Sequence, residues 1–210
     1  MKNKQMGMPV AAVITADIVN STASATAMGK KLVTRLSAVL KNHRFEFYRG
    51  DSFQVYAKDP LTALKLSFKL RATAKKLSGI YDVRISIGIG KVVTPVRTLR
   101  TANSEAFVLS GRMFDQLKDS QRLWIQSANA DANIALRVIA NFADYMLKRL
   151  TSKQAEVVAE LLEEQTQTQI SKKLKRKQST INKHAHSAGW PELEKLLYDY
   201  NQVITQFKLT

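Results

Sequence analysis

Residues 10–17 (VAAVITAD) are apolar at almost every position, the run expected of a strand covered on both faces. The period then changes. Over residues 30–41 the apolar side chains Leu32, Val33, Leu36, Val39 and Leu40 recur every three or four positions, which predicts a helix with one buried face. Alternation returns in the next segment, where Phe45 and Phe47 precede Gly50-Asp51 and Phe53 and Val55 follow it, predicting a hairpin that turns at Gly-Asp. Asp59-Pro60 has the residue types of an N-cap and first helical position. Leu61, Leu64, Leu66, Phe68 and Leu70 carry that helix on to Ser78-Gly79. Residues 81–94, with VRISIGIGKVV, predict a second long strand, 106–118 a helix and 122–126 a further strand.

The order β-α-β-β-α-β is the split βαβ unit of ferredoxin-like sheets, with the hairpin expected at the centre of the sheet. Beyond this point the pattern is helical. Segments are expected at 133–150, at 153–164 after an N-cap signal at Thr151-Ser152, and at 165–174, 179–188 and 191–207. The expected fold is therefore α+β: a ferredoxin-like sheet domain over 1–128, a connecting helix over 129–150 and an all-α domain over 151–210.

A hydrophobic content of 45% suits a globular core, and the lack of cysteine excludes thiolate nucleophiles, thiolate metal sites and a disulfide frame. Lys2 and Lys4 ahead of an apolar run have the layout of a secretion signal. The run stops at Asp17, however, so the expectation is a cytoplasmic protein without a membrane span. Charge adds more. The net value of +16 favours a polyanionic partner. Residues 1–150 carry 24 Lys and Arg against 10 Asp and Glu, and residues 151–210 carry 9 against 7. Within the second part, residues 171–187 hold six Lys and Arg and no acid.

That basic run has an apolar framework. In TQISKKLKRKQSTINKH, Ile170 and Leu174 stand one turn apart, and Ile181 is spaced to pack against both from a second helix, as in a helix-turn-helix. With Thr180 before Ile181 and His184 after it, the segment resembles the DNA-binding region of LuxR-type regulators and sigma-factor region four. The resemblance implies a recognition helix over 179–187 in the major groove of double-stranded DNA. Gln178, Ser179, Thr180, Asn182 and Lys183 would face bases or phosphates, and Lys172, Lys173, Lys175, Arg176 and Lys177 would contact phosphates. Lys175 stands where glycine is usual in that turn.

The predicted sheet also brings two acids together. ITADIVNST places Asp17 at the end of the first strand, and GDSFQ places Asp51 at the hairpin tip beside it. Adjacent carboxylates raise one another's pKa unless a cation lies between them, which suits Mg²⁺ or Mn²⁺ with a phosphate ligand. A later helix, EAFVLSGR, carries Arg112. These three segments resemble the catalytic domain of class III nucleotide cyclases, in which a D-I-x-x-x-T segment and a G-D hairpin supply two metal-binding aspartates and a helix supplies an arginine. Here the matching residues are Asp17-Ile18 through Thr22, Gly50-Asp51 and Arg112.

A closer resemblance is to the SatD family of bacterial proteins. It rests on Asp17-Ile18, on GDSFQ against a GDEFQ-like hairpin, on Arg84 to Gly90 against an R-x-G-I-G-x-G strand, and on Ser104 to Arg112 against a G-P-A-F-type helix. It covers residues 8–127 and extends to a terminal helix-turn-helix. The resemblance implies metal ligation by Asp17 and Asp51, a nucleotide ligand at Arg112, and a homodimer with its site between protomers. Two positions depart from the cyclase pattern: Phe47 replaces a base-reading Lys, and Val108 replaces an Asn. The expected function is a transcriptional regulator with a degenerate cyclase-like sensor or dimerisation domain and no assigned catalytic residue. The alternative is a metal-dependent nucleotide-processing enzyme with a helical appendage.

Other features have plainer readings. Gly88 and Gly90 are expected to serve close packing, because no helix follows them as in a phosphate loop. Ser21, Ser52 and Ser110 lack His and acid partners for a hydrolase triad. His184 and His186, two apart on a helix, face different ways and form no metal pair.

Overall fold

The computed structural model describes residues 8–20, 27–48 and 50–210. Lys2, Lys4, Ser21 and Thr22 lie outside the described residues. Five strands form one sheet in the order β2-β3-β1-β4-β5, with β1 Val10–Val19, β2 Arg44–Tyr48, β3 Ser52–Ala57, β4 Asp82–Lys91 and β5 Leu123–Ser127. β1 is antiparallel to β3 and β4, β2 is antiparallel to β3, and β5 joins β4 in parallel. The hairpin expected at the centre lies instead at one side of the sheet, with β2 on the edge and β1 in the middle. The reason is compositional. β1 and β4 are buried at almost every position, on both faces, and take interior places, whereas β2 (RFEFY) alternates aromatic and polar side chains, is only partly buried and tolerates an edge.

Eight α-helices are present among the described residues: α1 Ala27–Leu40, α2 Ala63–Leu77, α3 Glu105–Gln116, α4 Ala130–Arg149, α5 Ser152–Leu162, α6 Gln167–Leu174, α7 Gln178–Ser187 and α8 Trp190–Gln206. Asp59 caps a single 3-10 turn, Pro60–Thr62, by accepting from the Leu61 amide at 3.0 Å, and α2 follows. The fold is thus α+β with a mixed five-stranded sheet. Among the described residues no helix is long and apolar enough to cross a membrane.

The two faces of the sheet differ. On one, Ile14, Ala16, Ile18, Phe53, Val55, Ile85 and Ile87 meet Leu32 and Leu36 of α1 and Leu64 and Phe68 of α2. The same core continues through Leu136 and Leu147 of α4, Val158 and Leu162 of α5, and Leu193 and Ile204 of α8. α4 and the helices beyond residue 150 therefore share one apolar interior with the sheet. Buried Tyr200 of α8 adds a direct tie, its hydroxyl donating to the Pro60 carbonyl at 2.8 Å.

On the other face, α3 rests directly on β4. A Cβ at Gly88 would lie 2.3 Å from the Ala106 carbonyl oxygen and 2.4 Å from the Ser110 nitrogen, so only glycine admits this approach. Close packing is indeed what Gly88 serves.

Candidate functional site

The strand register sets the first candidate site. Asp17, two residues before the end of β1, is paired across the sheet with Ser52 on one side and Arg84 on the other. Side chains directly opposite one another share a face, so Ser52, Asp17 and Arg84 form one polar rung. The next rung on that face is Gln54, Thr15 and Ser86. Thr15 is hydrogen-bonded to Ser110 of α3 at 3.0 Å and accepts from Gln54 at 3.3 Å. Among the described residues, Gln54 Oε1 and Ser86 Oγ are buried without a hydrogen-bond partner, polar capacity that a water or a ligand group would satisfy.

Asp51 joins Asp17 at this end of the sheet. The Ile18 amide donates to the Asp51 carbonyl at 3.2 Å, and the Ser52 hydroxyl lies 3.3 Å from Asp17 Oδ1 and 3.4 Å from Asp51 Oδ1. Burial raises the Asp17 carboxyl above its ordinary value, the Asp51 charge raises it further, and Arg84 and the Ser52 hydrogen bond act in the opposite direction. A cavity of about 370 Å³ opens beside Asp17, lined also by Asn20, Arg84, Asp119 and Arg122.

Arg112, expected at this site, is exposed on α3 and does not line the cavity. Helical geometry accounts for this: Ser110 faces the sheet, and a residue two positions on is rotated about 200° away. Among the described residues, the cations that line the cavity are Arg84 and Arg122. Arg84 also lies over the Phe114 ring, 4.8 Å from its centroid. Sequence reading missed both arginines as site residues, although pairing Asp17 with its cross-strand neighbour would have found Arg84.

Among the described residues no group of three or more His, Asp or Glu is placed to hold a metal ion. Asp17 and Asp51 supply two carboxylates, which fits Mg²⁺ or Mn²⁺ only where water or phosphate oxygens complete the shell. Phe47, at the base-reading position of the resemblance, points to the opposite face. It packs with Phe53 and Phe45, centroids 4.8 and 6.0 Å away.

The second candidate lies on α6 and α7. Thr166 starts α6 with a capping box completed by Gln169. Ile170, Ile181 and Ala185 bury against Val157 of α5, with Leu161, Leu174 and Trp190 at the margin. The expected packing of Ile181 against the preceding helix is present. Because α7 is held by Ile181 and Ala185, Gln178, Ser179, Asn182 and Lys183 face outward, and Thr180 is half-buried.

Lys172, Lys175 and Lys177 are exposed beside them, and among the described residues none of these lysines forms an ion pair. Two other cations of this run are committed internally: Lys173 pairs with buried Glu160 at 2.6 Å and Arg176 with Glu156 at 2.8 Å. Glu156 and Glu160, one turn apart on α5, were the sequence signal for that use. The turn is closed by Ser171, whose hydroxyl donates to the Arg176 carbonyl at 2.7 Å. Lys175 sits in it with left-handed geometry, φ 51° and ψ 46°.

No known family model matches the chain, and no curated protein is significantly similar to it.

Proposed function

We propose that this protein is a DNA-binding transcriptional regulator in which α6 and α7 form a helix-turn-helix and α7 enters the major groove. The observation that carries this reading is the outward face of α7: Gln178, Ser179, Asn182 and Lys183 are exposed opposite the Ile181 anchor, flanked by Lys172, Lys175 and Lys177. Exposed lysines beside a row of amide and hydroxyl side chains suit a surface that meets phosphates and base edges together. Lys173 and Arg176 hold the two helices to α5 and are left out of the DNA contacts. The sheet unit belongs to the ferredoxin-like, cyclase-related class and the chain to the SatD family in this reading; the strand order 2-3-1-4 and the adjacency of Asp17 and Asp51 support it.

The sheet unit acts as a sensor for an anionic ligand such as a nucleotide, bound with Mg²⁺ or Mn²⁺ at Asp17 and Asp51. Arg84 and Arg122 supply the positive charge there. The sensor reading assigns no turnover, because Phe47, which stands at the base-reading position of the cyclases, is packed away from the site. The enzyme reading keeps one supporting observation, the raised Asp17 carboxyl facing a cavity, and predicts consumption of a nucleoside triphosphate that Asp51→Ala abolishes.

The test is an anisotropy titration of the full chain onto a fluorescein-labelled mixed-sequence duplex at several salt concentrations. Binding should weaken steeply with salt, and Lys183→Ala should lower the log–log slope by about 1. Asn182→Ala should weaken binding without changing that slope. Absence of binding at low salt, or binding indifferent to a triple Lys172, Lys177 and Lys183→Ala variant, would reject the reading.

A further inference from the structure

Four of the nine large apolar side chains that stand exposed among the described residues share one helix. Ile134, Val138, Phe142 and Tyr145 of α4 are 61%, 64%, 50% and 55% exposed. With Asp131 and Arg149 at the two ends, these six residues fall within an arc of roughly 80° at 3.6 residues per turn. Ala132, Leu136, Ala143 and Leu147 occupy the opposite, buried side. The stripe is ordered internally: the Phe142 and Tyr145 rings stack at 6.4 Å, and the Arg149 guanidinium lies 5.1 Å from the Tyr145 centroid. An apolar row of this length on a helix that already fills the core on its other side has no role in folding the single chain. Such a row marks an interaction surface.

We infer that α4 is a homodimer interface, on which the same helix of a second copy packs antiparallel about a twofold axis near residue 140. The charge pattern selects this occupant. The stripe starts at Asp131 in the first turn of α4 and ends at Arg149 in the last. A twofold at its midpoint sets Val138 against the second copy's Phe142, Ile134 against its Tyr145, and Asp131 against its Arg149. Each contact then occurs twice, as an isologous interface requires. Parallel pairing would oppose Asp131 to Asp131 and Arg149 to Arg149, and would align the helix dipoles unfavourably. A helix of twenty residues is about 30 Å long, which puts this contact at the small end of specific interfaces. The dimer is therefore a weak one, formed in the micromolar range, and nothing in this inference depends on the DNA-binding reading.

Sedimentation velocity on the full chain, from micromolar to submillimolar concentration, tests the association. A concentration-dependent dimer is expected, weakened at least about tenfold by Phe142→Glu. Asp131→Arg and Arg149→Asp should each weaken it, and the two together should restore it, because the twofold re-forms both ion pairs with reversed sign.

The absence of native cysteine makes disulfide trapping clean. A mixture of the Val138→Cys and Phe142→Cys chains should cross-link to each other, whereas Ile134→Cys should not cross-link to itself, its two copies being about 18 Å apart along the axis. A chain that stays monomeric throughout would overturn the inference. So would a dimer indifferent to Phe142→Glu and to both charge reversals, or efficient self-linking of Ile134→Cys.

Discussion

Asp82 and Arg84 stand two residues apart on β4, yet they belong to charge clusters built on opposite terms. Around Asp82 every charge is answered. Arg71, wholly buried, donates to both Asp82 oxygens at 2.9 and 2.8 Å and to Asp144 Oδ1 at 2.8 Å. Asp144 Oδ2 accepts from the Arg122 amide at 3.0 Å and pairs with Lys148 at 3.2 Å, while the Val83 amide donates to Asp82. Around Arg84 the balance is left open. Asp17 faces one arginine, shares a serine hydroxyl with Asp51, and is repelled by it. The first cluster is a finished joint that ties α2, β4 and α4 together. The second has charge to spare, as a site that awaits a cation or an anionic ligand would.

The sharpest way to break this comparison is to remove the arginine from the joint. Arg71→Ala leaves two buried carboxylates without their counter-ion and should destabilise the fold by about 3–5 kcal/mol. That is a large share of the roughly 5–15 kcal/mol that holds a domain together. Urea denaturation followed by circular dichroism measures it. Arg71→Lys should recover little, because a single ammonium cannot span both carboxylates with the geometry of a guanidinium fork. A loss under about 1 kcal/mol would mean that the network is incidental, and the distinction between the clusters would fail.

A smaller effect is expected at the open cluster. Asp17→Asn removes one of two repelling carboxylates at a half-exposed position, so stability should change by no more than about 0.5 kcal/mol. The informative measurement is the NMR titration of the Asp17 carboxyl. Its midpoint should lie above the ordinary 3.8, fall in Asp51→Asn, and rise in Arg84→Ala. The sign for stability follows from this direction. A carboxyl whose folded value is raised favours the fold fully below the ordinary value, and that contribution is lost as pH rises through the folded value. If Asp17 and Asp51 hold Mg²⁺, adding the ion should depress the midpoint; a midpoint unmoved by Mg²⁺ would remove the metal from the proposal.

Much of this was legible in the chain. Hydrophobic period fixed every strand and helix to within a few residues, because each element buries a face regular enough to show. The meeting of Asp17 and Asp51 followed from a strand end lying beside a hairpin turn. What stayed hidden depends on pairing between distant segments. The edge position of β2 came from competition among strands for interior places, and Arg84 and Arg122 reached the site through the β1–β4–β5 register. That Arg112 does not line the cavity beside Asp17 was hidden too, because a motif gives a residue's position on a helix but not the direction it faces. The capture of Lys173 and Arg176 by Glu160 and Glu156 needed two helices in contact, and the α4 stripe escaped notice because its apolar residues mixed with those of the buried face.

An effect of similarly small size is expected at Lys175, where the two roles of a charged residue separate. Its left-handed backbone is the conformation that favours glycine, at a cost of about 1–2 kcal/mol for an L side chain. Glycine also loses more freedom on folding, so Lys175→Gly should stabilise the chain by no more than about 1 kcal/mol, read as a raised denaturation midpoint. If the lysine is kept for DNA, the same substitution should weaken duplex binding and lower the salt slope by about 1. Stability and affinity would then move in opposite directions on one substitution. A variant that gained stability and bound DNA unchanged would assign Lys175 to solvent, and phosphate contact would rest on Lys172, Lys177 and Lys183 alone.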